Sequence, residues 1–165
     1  MKNFKNLDKK LFRTFNEVSI FINHVCKKGY KLKSYNIMLY LLKTLKRRFK
    51  KTPSLVFVKS IINAKIMVRI YNKKRGSHLY KIPLFLTNQK QIKKGILNLV
   101  KLVSEMKKEH ILKKKLSLEL INLYFYKGVC INYKKNLYKS VIEYKQNLKY
   151  IKIRKKKKFL TEFLY

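Results

Sequence analysis

Leu11, Phe15, Val18, Ile22 and Val25 recur at alternating steps of four and three, which puts them on one face of a helix. The pattern stops near Gly29, where a helix can end. A second helix follows, with Ser34 as its expected N-cap, Ile37, Leu41 and Leu45 on one stripe and Met38 and Leu42 beside it. Thr52-Pro53 predicts a third start, because Thr can cap and Pro suits the first helical position. That helix is read as about three turns carrying Leu55, Val58, Ile61 and Ile62.

The period then changes. Ile66, Val68 and Ile70 alternate with Lys65, Met67, Arg69 and Tyr71, a strand pattern, and alternation resumes at Tyr80, Ile82, Leu84 and Leu86. The intervening basic segment contains Gly76, so the two runs read as a hairpin, with Pro83 marking an edge strand. A lone hairpin is marginal in water and must pack on something. Asn88 with Gln91 suggests a capping box opening a fourth helix, whose apolar face is Ile92, Ile96, Leu99, Val100 and Val103. After a charged connection, a fifth helix is expected from about Leu116 to Phe125, broken by Gly128. A last one carries Leu137, Val141, Tyr144, Leu148 and Ile151. The expected fold is mainly α, a bundle of about six helices with a β-hairpin between the third and fourth. The domain spans 11–153 with its hairpin at about 65–86, between a short basic extension at 1–10 and a lysine-rich tail at 154–165.

Charge narrows the picture. Lys and Arg number 43 against 7 Asp and Glu, a net charge of +36 on 165 residues. Such a chain repels itself unless a polyanion is present, and nucleic acid is the usual one. Abundant Lys, Asn, Ile, Tyr and Phe suggest AT-rich coding, but that bias leaves the scarcity of Asp and Glu unexplained. No apolar run approaches the roughly 20 residues of a membrane span, and the N-terminus has neither a signal-peptide core nor an Arg/Ser-rich presequence. Cys26 and Cys130 are isolated, and His24, His78 and His110 make no ligand spacing with them, so neither metal nor other cofactor is expected; a reducing compartment fits.

Catalysis has little to work with. The carboxylates are scattered one per element except Glu105 and Glu109, which one helical turn separates and which read as partners of local lysines. Four glycines leave no phosphate-cradling loop. Binding is what remains. Lys43, Lys46, Arg47, Arg48, Lys50 and Lys51 are six basic residues within nine, more than a helix C-terminus needs. Arg69, Lys73, Lys74, Arg75 and Lys81 lie on or beside a narrow projecting ribbon. Tyr and Phe interleaved with these cations offer faces for unpaired bases. A DNA-compacting protein shares the charge, but a duplex reader concentrates it on one element, whereas here every element is basic. A membrane-surface protein would have no role for the hairpin.

Three segments carry a resemblance. FINHVCKKGYKLKSYNIMLYLLKTL, Phe21 to Leu45, resembles the first two helices of the bacterial-type small-subunit ribosomal protein S-seven family, with Phe21, Asn23, Gly29, Lys31, Ile37, Leu42, Thr44 and Leu45 at pattern positions. VRIYNKKRGSHLYKIP, Val68 to Pro83, is similar to that family's hairpin through Lys73-Lys74, Gly76-Ser77 and Tyr80 with Pro83. The Lys127-Gly128 turn, the basic residues after it and the final helix complete the match, which covers about Leu11 to Tyr150. Departures occur at Gln91 and Asn98, where the family has a basic residue and Trp, and at both divergent ends.

The resemblance implies a non-enzymatic protein that binds the 3′ domain of small-subunit rRNA, organises the head and adjoins other head proteins, without forming a homo-oligomer. Lys43 to Lys51 and the fourth-helix start (Lys90, Lys93, Lys94) would be the main rRNA surface, joined by Lys31 and Lys33 and by Lys134 and Lys135. The hairpin, through Arg69, Lys73, Lys74, Arg75, Gly76, Tyr80 and Lys81, would lie near exit-site tRNA and the mRNA exit. With no presequence, much lysine and no Trp, an organellar product is expected, mitochondrial rather than plastid.

Overall fold

The computed structural model describes residues 16–106 and 111–150. Leu11, Phe15, Glu109, His110, Ile151 and the segments expected at 1–10 and 154–165 lie outside the described residues. Within them, six α-helices and one hairpin follow the expected order. Helix α1 covers residues 16–25, α2 Lys31–Arg48 and α3 Pro53–Ala64. Strands β1 (Val68–Arg75) and β2 (His78–Phe85) precede α4 (Asn88–Glu105), α5 (Leu112–Tyr124) and α6 (Val129–Glu143), and a 3-10 helix, Tyr144–Tyr150, continues α6.

Helix α3 is the centre of the bundle, packed against α2, α4, α5 and α6. Its sequence, PSLVFVKSIINA, is apolar almost all round, so it has no polar face to reveal its orientation. The buried residues are Val56, Phe57, Ser60, Ile61 and Ala64, while Leu55 and Ile62 are exposed. Phe57 meets Phe21 of α1 edge-to-face, ring centroids 5.4 Å apart. Met38, Leu41 and Leu45 of α2, Ile96, Leu99 and Val103 of α4, and Leu116, Leu120 and Leu123 of α5 complete the main core.

Two polar side chains tie α3 to α5. Ser60 Oγ donates to the Leu120 carbonyl at 3.0 Å as well as to Val56 O at 2.9 Å, and Asn63 Nδ2 donates to Leu123 O at 2.8 Å. Both bonds reach carbonyls in the last two turns of α5, as second acceptor contacts that join the two helices. On the other side α4 approaches so closely that a Cβ on Gly95 would lie 2.8 Å from the Ala64 carbonyl oxygen.

The hairpin is antiparallel and in full register from Val68 opposite Phe85 to Arg75 opposite His78. Gly76, at φ +58, opens its two-residue turn with the left-handed conformation that a tight hairpin needs. This register puts Val68 and Ile70 on one face with Phe85 and Pro83, and Ile82 and Leu84 on the other, so the two alternating sets read from sequence face opposite ways. The base is seated by a second small core of Val68, Val141 and Leu148, with Ile70 and Phe85 against it. The expected α-helical continuation through Tyr144 and Leu148 is a 3-10 helix instead. Its larger rise, about 2.0 Å per residue against about 1.5 Å, carries Leu148 along to reach Val68. Asn147 Nδ2 then donates to Lys81 O at 2.9 Å, and Tyr138 Oη accepts from the Met67 N–H at 3.3 Å.

Helix ends differ from expectation more than helix bodies do. Helix α2 begins three residues before Ser34, which is buried in its first turn, Oγ 3.5 Å from Tyr30 O. Thr52 does occupy the N-cap of α3 and Pro53 the next position, but no Thr52 side-chain cap bond forms. Thr87, not Asn88, precedes α4, and Gln91 is buried with Nε2 donating to Leu86 O at 2.6 Å, so no capping box exists. Helix α5 starts at Leu112, taking Lys113 to Lys115 out of the expected connection. Gly128 does not break α5; it is the N-cap of α6.

Because Gly95 abuts backbone rather than a movable side chain, Gly95→Ala should cost about 1–3 kcal/mol of stability. The expected outcome is a lower urea midpoint with an unchanged slope, measured in sulfate buffer to damp charge repulsion.

Candidate nucleic-acid interface

The C-terminal turn of α2 ends in Lys46, Arg47 and Arg48, all exposed, where cations suit the helix macrodipole. Lys43, Lys50 and Lys51 extend the same exposed cluster to the start of α3. The opposite situation holds at helix starts. None of α2 to α6 has an acidic residue in its first turn. Lys31 and Lys33 stand in the first turn of α2, and Lys90, Lys93 and Lys94 in the first two turns of α4, all exposed. Cations there oppose the dipole. A bound phosphate reverses that sign, since helix N-termini and ammonium groups both attract it.

The structure brings some expected residues together and separates others. Lys33 and Lys43 line one groove of about 840 Å³ with Tyr30, Tyr40 and Lys113. The Lys113 ammonium sits 5.1 Å from the Tyr40 ring. The Lys46–Lys51 cluster and the α4 lysines lie at opposite ends of α3, about 18 Å apart along a helix of its length. Lys65 Nζ, just past the far end of α3, reaches Asn88 Oδ1 at 3.4 Å, so the start of α4 lies at that end.

The hairpin rises from that same end. Its strands are about 26 Å long, and their outer half is exposed at Lys74, Arg75, Gly76 and His78. Lys81 is held at the base, its ammonium 3.3 Å from Tyr144 Oη and 5.3 Å from that ring. Arg69 lies 5.9 Å from the Tyr71 ring, and Tyr80 6.4 Å from His78 between ring centroids. Lys73 and Tyr80 are half-buried.

On α6 the two expected lysines part. Lys135 is exposed. Lys134 is half-buried, donates to Asn63 O at 3.0 Å and lies near the Tyr126 and Tyr138 rings at 5.7 and 6.0 Å. Burial, and then Lys65, hold its ammonium below the ordinary lysine range. It therefore completes the C-terminal end of α3, besides anything it does outside the protein.

Several residues escaped the sequence reading. Glu119 of α5 is buried and accepts the Cys130 N–H at 2.9 Å, capping α6 from another helix. Its carboxylate fills the space where a Gly128 Cβ would stand, 2.6 Å away, and Gly128 has φ +101, so both contact and backbone exclude a side chain. Burial and this carboxylate push the Cys130 thiol well above the usual cysteine range. The end of α5 is a Schellman turn. Lys127 N–H reaches Asn122 O at 2.8 Å and Tyr126 N–H reaches Leu123 O at 3.0 Å. Tyr126 occupies the left-handed position at φ +58, where glycine is usual and a larger residue costs about 1–2 kcal/mol. Phe49, next to Arg48 and Lys50, packs on Tyr124 and Phe125 at 4.7 and 5.9 Å, and Lys59 lies 4.6 Å from the Tyr124 ring. The available signal was that Phe125 and Tyr126 fall off the Leu116–Leu120–Leu123 stripe.

Among the described residues no helix is long and apolar enough to cross a membrane, and no three His, Cys, Asp or Glu are grouped to hold a metal. The structure is a six-helix bundle with a clamped basic hairpin and cationic helix ends. Residues 3–142 match the family model described as Ribosomal protein S7p/S5e, and the chain belongs to that family. It is thus a ribosomal protein of the small subunit. No curated protein matches the chain.

Lys134→Ala should lower stability by about 1–2 kcal/mol, because a charged donor and its carbonyl bond are lost, whereas Lys135→Ala should leave the thermal midpoint unchanged. In the folded chain a maleimide should modify the partly exposed Cys26 long before buried Cys130, with equal rates once the chain is unfolded. Peptide mapping of a time course reads this directly.

Proposed function

We propose that this chain binds the 3′ domain of small-subunit rRNA and organises the head of the subunit. The observation that carries the reading is the set of lysines at the starts of α2 and α4, against the helix dipole, with no carboxylate there to offset them. Only an external polyanion makes that placement favourable. The surface would run along α3, from Lys43, Lys46, Arg47, Arg48, Lys50 and Lys51 at one end to Lys90, Lys93 and Lys94 at the other. Lys31, Lys33 and Lys135 add to it, and Lys134 chiefly supports α3.

The hairpin, through Lys73, Lys74 and Arg75 at its outer half, lies near exit-site tRNA and mRNA in this reading. It does no chemistry, and the chain acts as a single copy beside other head proteins. The Lys-, Asn-, Ile-, Tyr- and Phe-rich composition supports a mitochondrial ribosome, with a plastid as the other organelle of that kind. Proteomics of purified mitochondrial and plastid small subunits tests that point.

Co-sedimentation with small subunits through a salt gradient should retain the protein as long as other head proteins; its absence from the particle would overturn the proposal. A 3′-domain fragment should bind more tightly than duplex DNA at matched salt. Lys46→Ala, Arg47→Ala and Arg48→Ala together should weaken fragment binding and flatten the plot of log K against log salt by about 0.9 per lost phosphate contact. Lys73→Ala, Lys74→Ala and Arg75→Ala together should leave assembly intact and alter tRNA or mRNA exit in a translation assay. Identical behaviour of the two triple variants would refute the division of labour.

A further inference from the structure

At the end of α5, Phe49 and Tyr124 pack on the edge of the main core, and Phe125 lies outside it against them. Phe125 is 58% exposed although two rings that touch each other at 4.7 Å adjoin it, Tyr124 at 5.4 Å and Phe49 at 5.9 Å. Phe49 follows Arg48 and precedes Lys50, so the group adjoins the basic cluster at the end of α2. Lys59, over the Tyr124 ring at 4.6 Å, adds a cation on the α3 side. The Schellman turn fixes the backbone on both sides of Phe125, and the left-handed Tyr126 is a strained residue retained where glycine is usual. A strained backbone costs stability and persists where the surrounding structure over-determines it, as at ligand clamps.

We propose that Phe125 is a stacking platform for one unpaired nucleobase of the bound RNA, with Arg48, Lys50 and Lys59 receiving the flanking phosphates. Phe49 and Tyr124 buttress the ring from the protein side, leaving its outer face to the base. Stacking on a preset aromatic is sequence-tolerant, because every base has a π-face, and it requires a nucleotide outside a helix. The site therefore prefers single-stranded or bulged RNA over a continuous duplex. An apolar partner protein is the competing occupant, but Lys59 over the Tyr124 ring and the exposed Arg48 and Lys50 on either side of Phe49 in sequence favour a phosphate-bearing one.

The inference rests on the rRNA-binding reading above and can fail separately from it. The full chain is titrated with a 3′-domain rRNA fragment, alongside Phe125→Ala and Phe125→Leu. Leu retains apolar packing on Phe49 but has no π-face. Both variants should lose roughly five- to a hundred-fold in affinity while the slope against log salt is unchanged, since no phosphate contact is removed. Phe125→Trp should bind like wild type. Because the chain has no Trp, its fluorescence is a lone reporter. It should be quenched by a single-stranded uridine oligomer and not by duplex RNA of equal phosphate count. Leu binding as tightly as Phe, or equal quenching by duplex and single strand, overturns the stacking site and leaves a partner protein as the occupant. Failure of the wild type to bind the fragment overturns the rRNA reading itself.

Discussion

The position of α3 is the constraint on which the rest depends. A short, almost wholly apolar helix can be stable only if neighbours cover most of its circumference, and here four helices do so. Coverage is polar as well as apolar. Ser60 and Asn63 donate to carbonyls of α5, Lys134 donates to the Asn63 carbonyl, and Gly95 lets α4 lie against the Ala64 carbonyl. These local arrangements set where α4 starts and where the hairpin leaves. The two main cation clusters are thereby kept at opposite ends of α3.

The hairpin illustrates how a marginal element becomes a stable one. Two strands alone bury too little, but Val68 shares a small core with Val141 and Leu148, and three polar contacts fasten the base. These contacts gather on Met67, Val68 and Lys81, whereas Lys74, Arg75, Gly76 and His78 toward the tip are exposed, so fold and reach are divided along its length.

Helix bodies and the hairpin were legible in the sequence because a buried stripe leaves a period that survives local exceptions. Gly76 and Thr52-Pro53 also read correctly, each imposing its own backbone demand. The face of α3 did not, since Leu55 and Ile62 are as apolar as Val56 and Phe57, and only neighbours decide between them. Caps failed for a related reason. Ser34 and Asn88 match capping patterns, yet the buried positions of Ser34 and Gln91 were the stronger demand, and the helices begin earlier or cap otherwise. Glu119 with Gly128 was invisible because the contact joins two elements. The expected cations stand mostly at the surface, with half-buried Lys73 and Lys134 the exceptions that geometry alone could reveal, and the Phe49–Tyr124–Phe125 group needed distant parts of the chain to assemble.

The burial of Glu17 and Glu119 has a thermodynamic consequence. Carboxylates turned inward cannot neutralise the outer cations, so the free chain relies on dissolved ions to quiet its own repulsion. Added salt should then favour the folded chain in isolation by screening that repulsion, and disfavour its complex with RNA by reducing the gain from counterion release. One variable thus pulls the two equilibria apart: the conditions under which the free protein is most comfortable are those under which it holds its partner least.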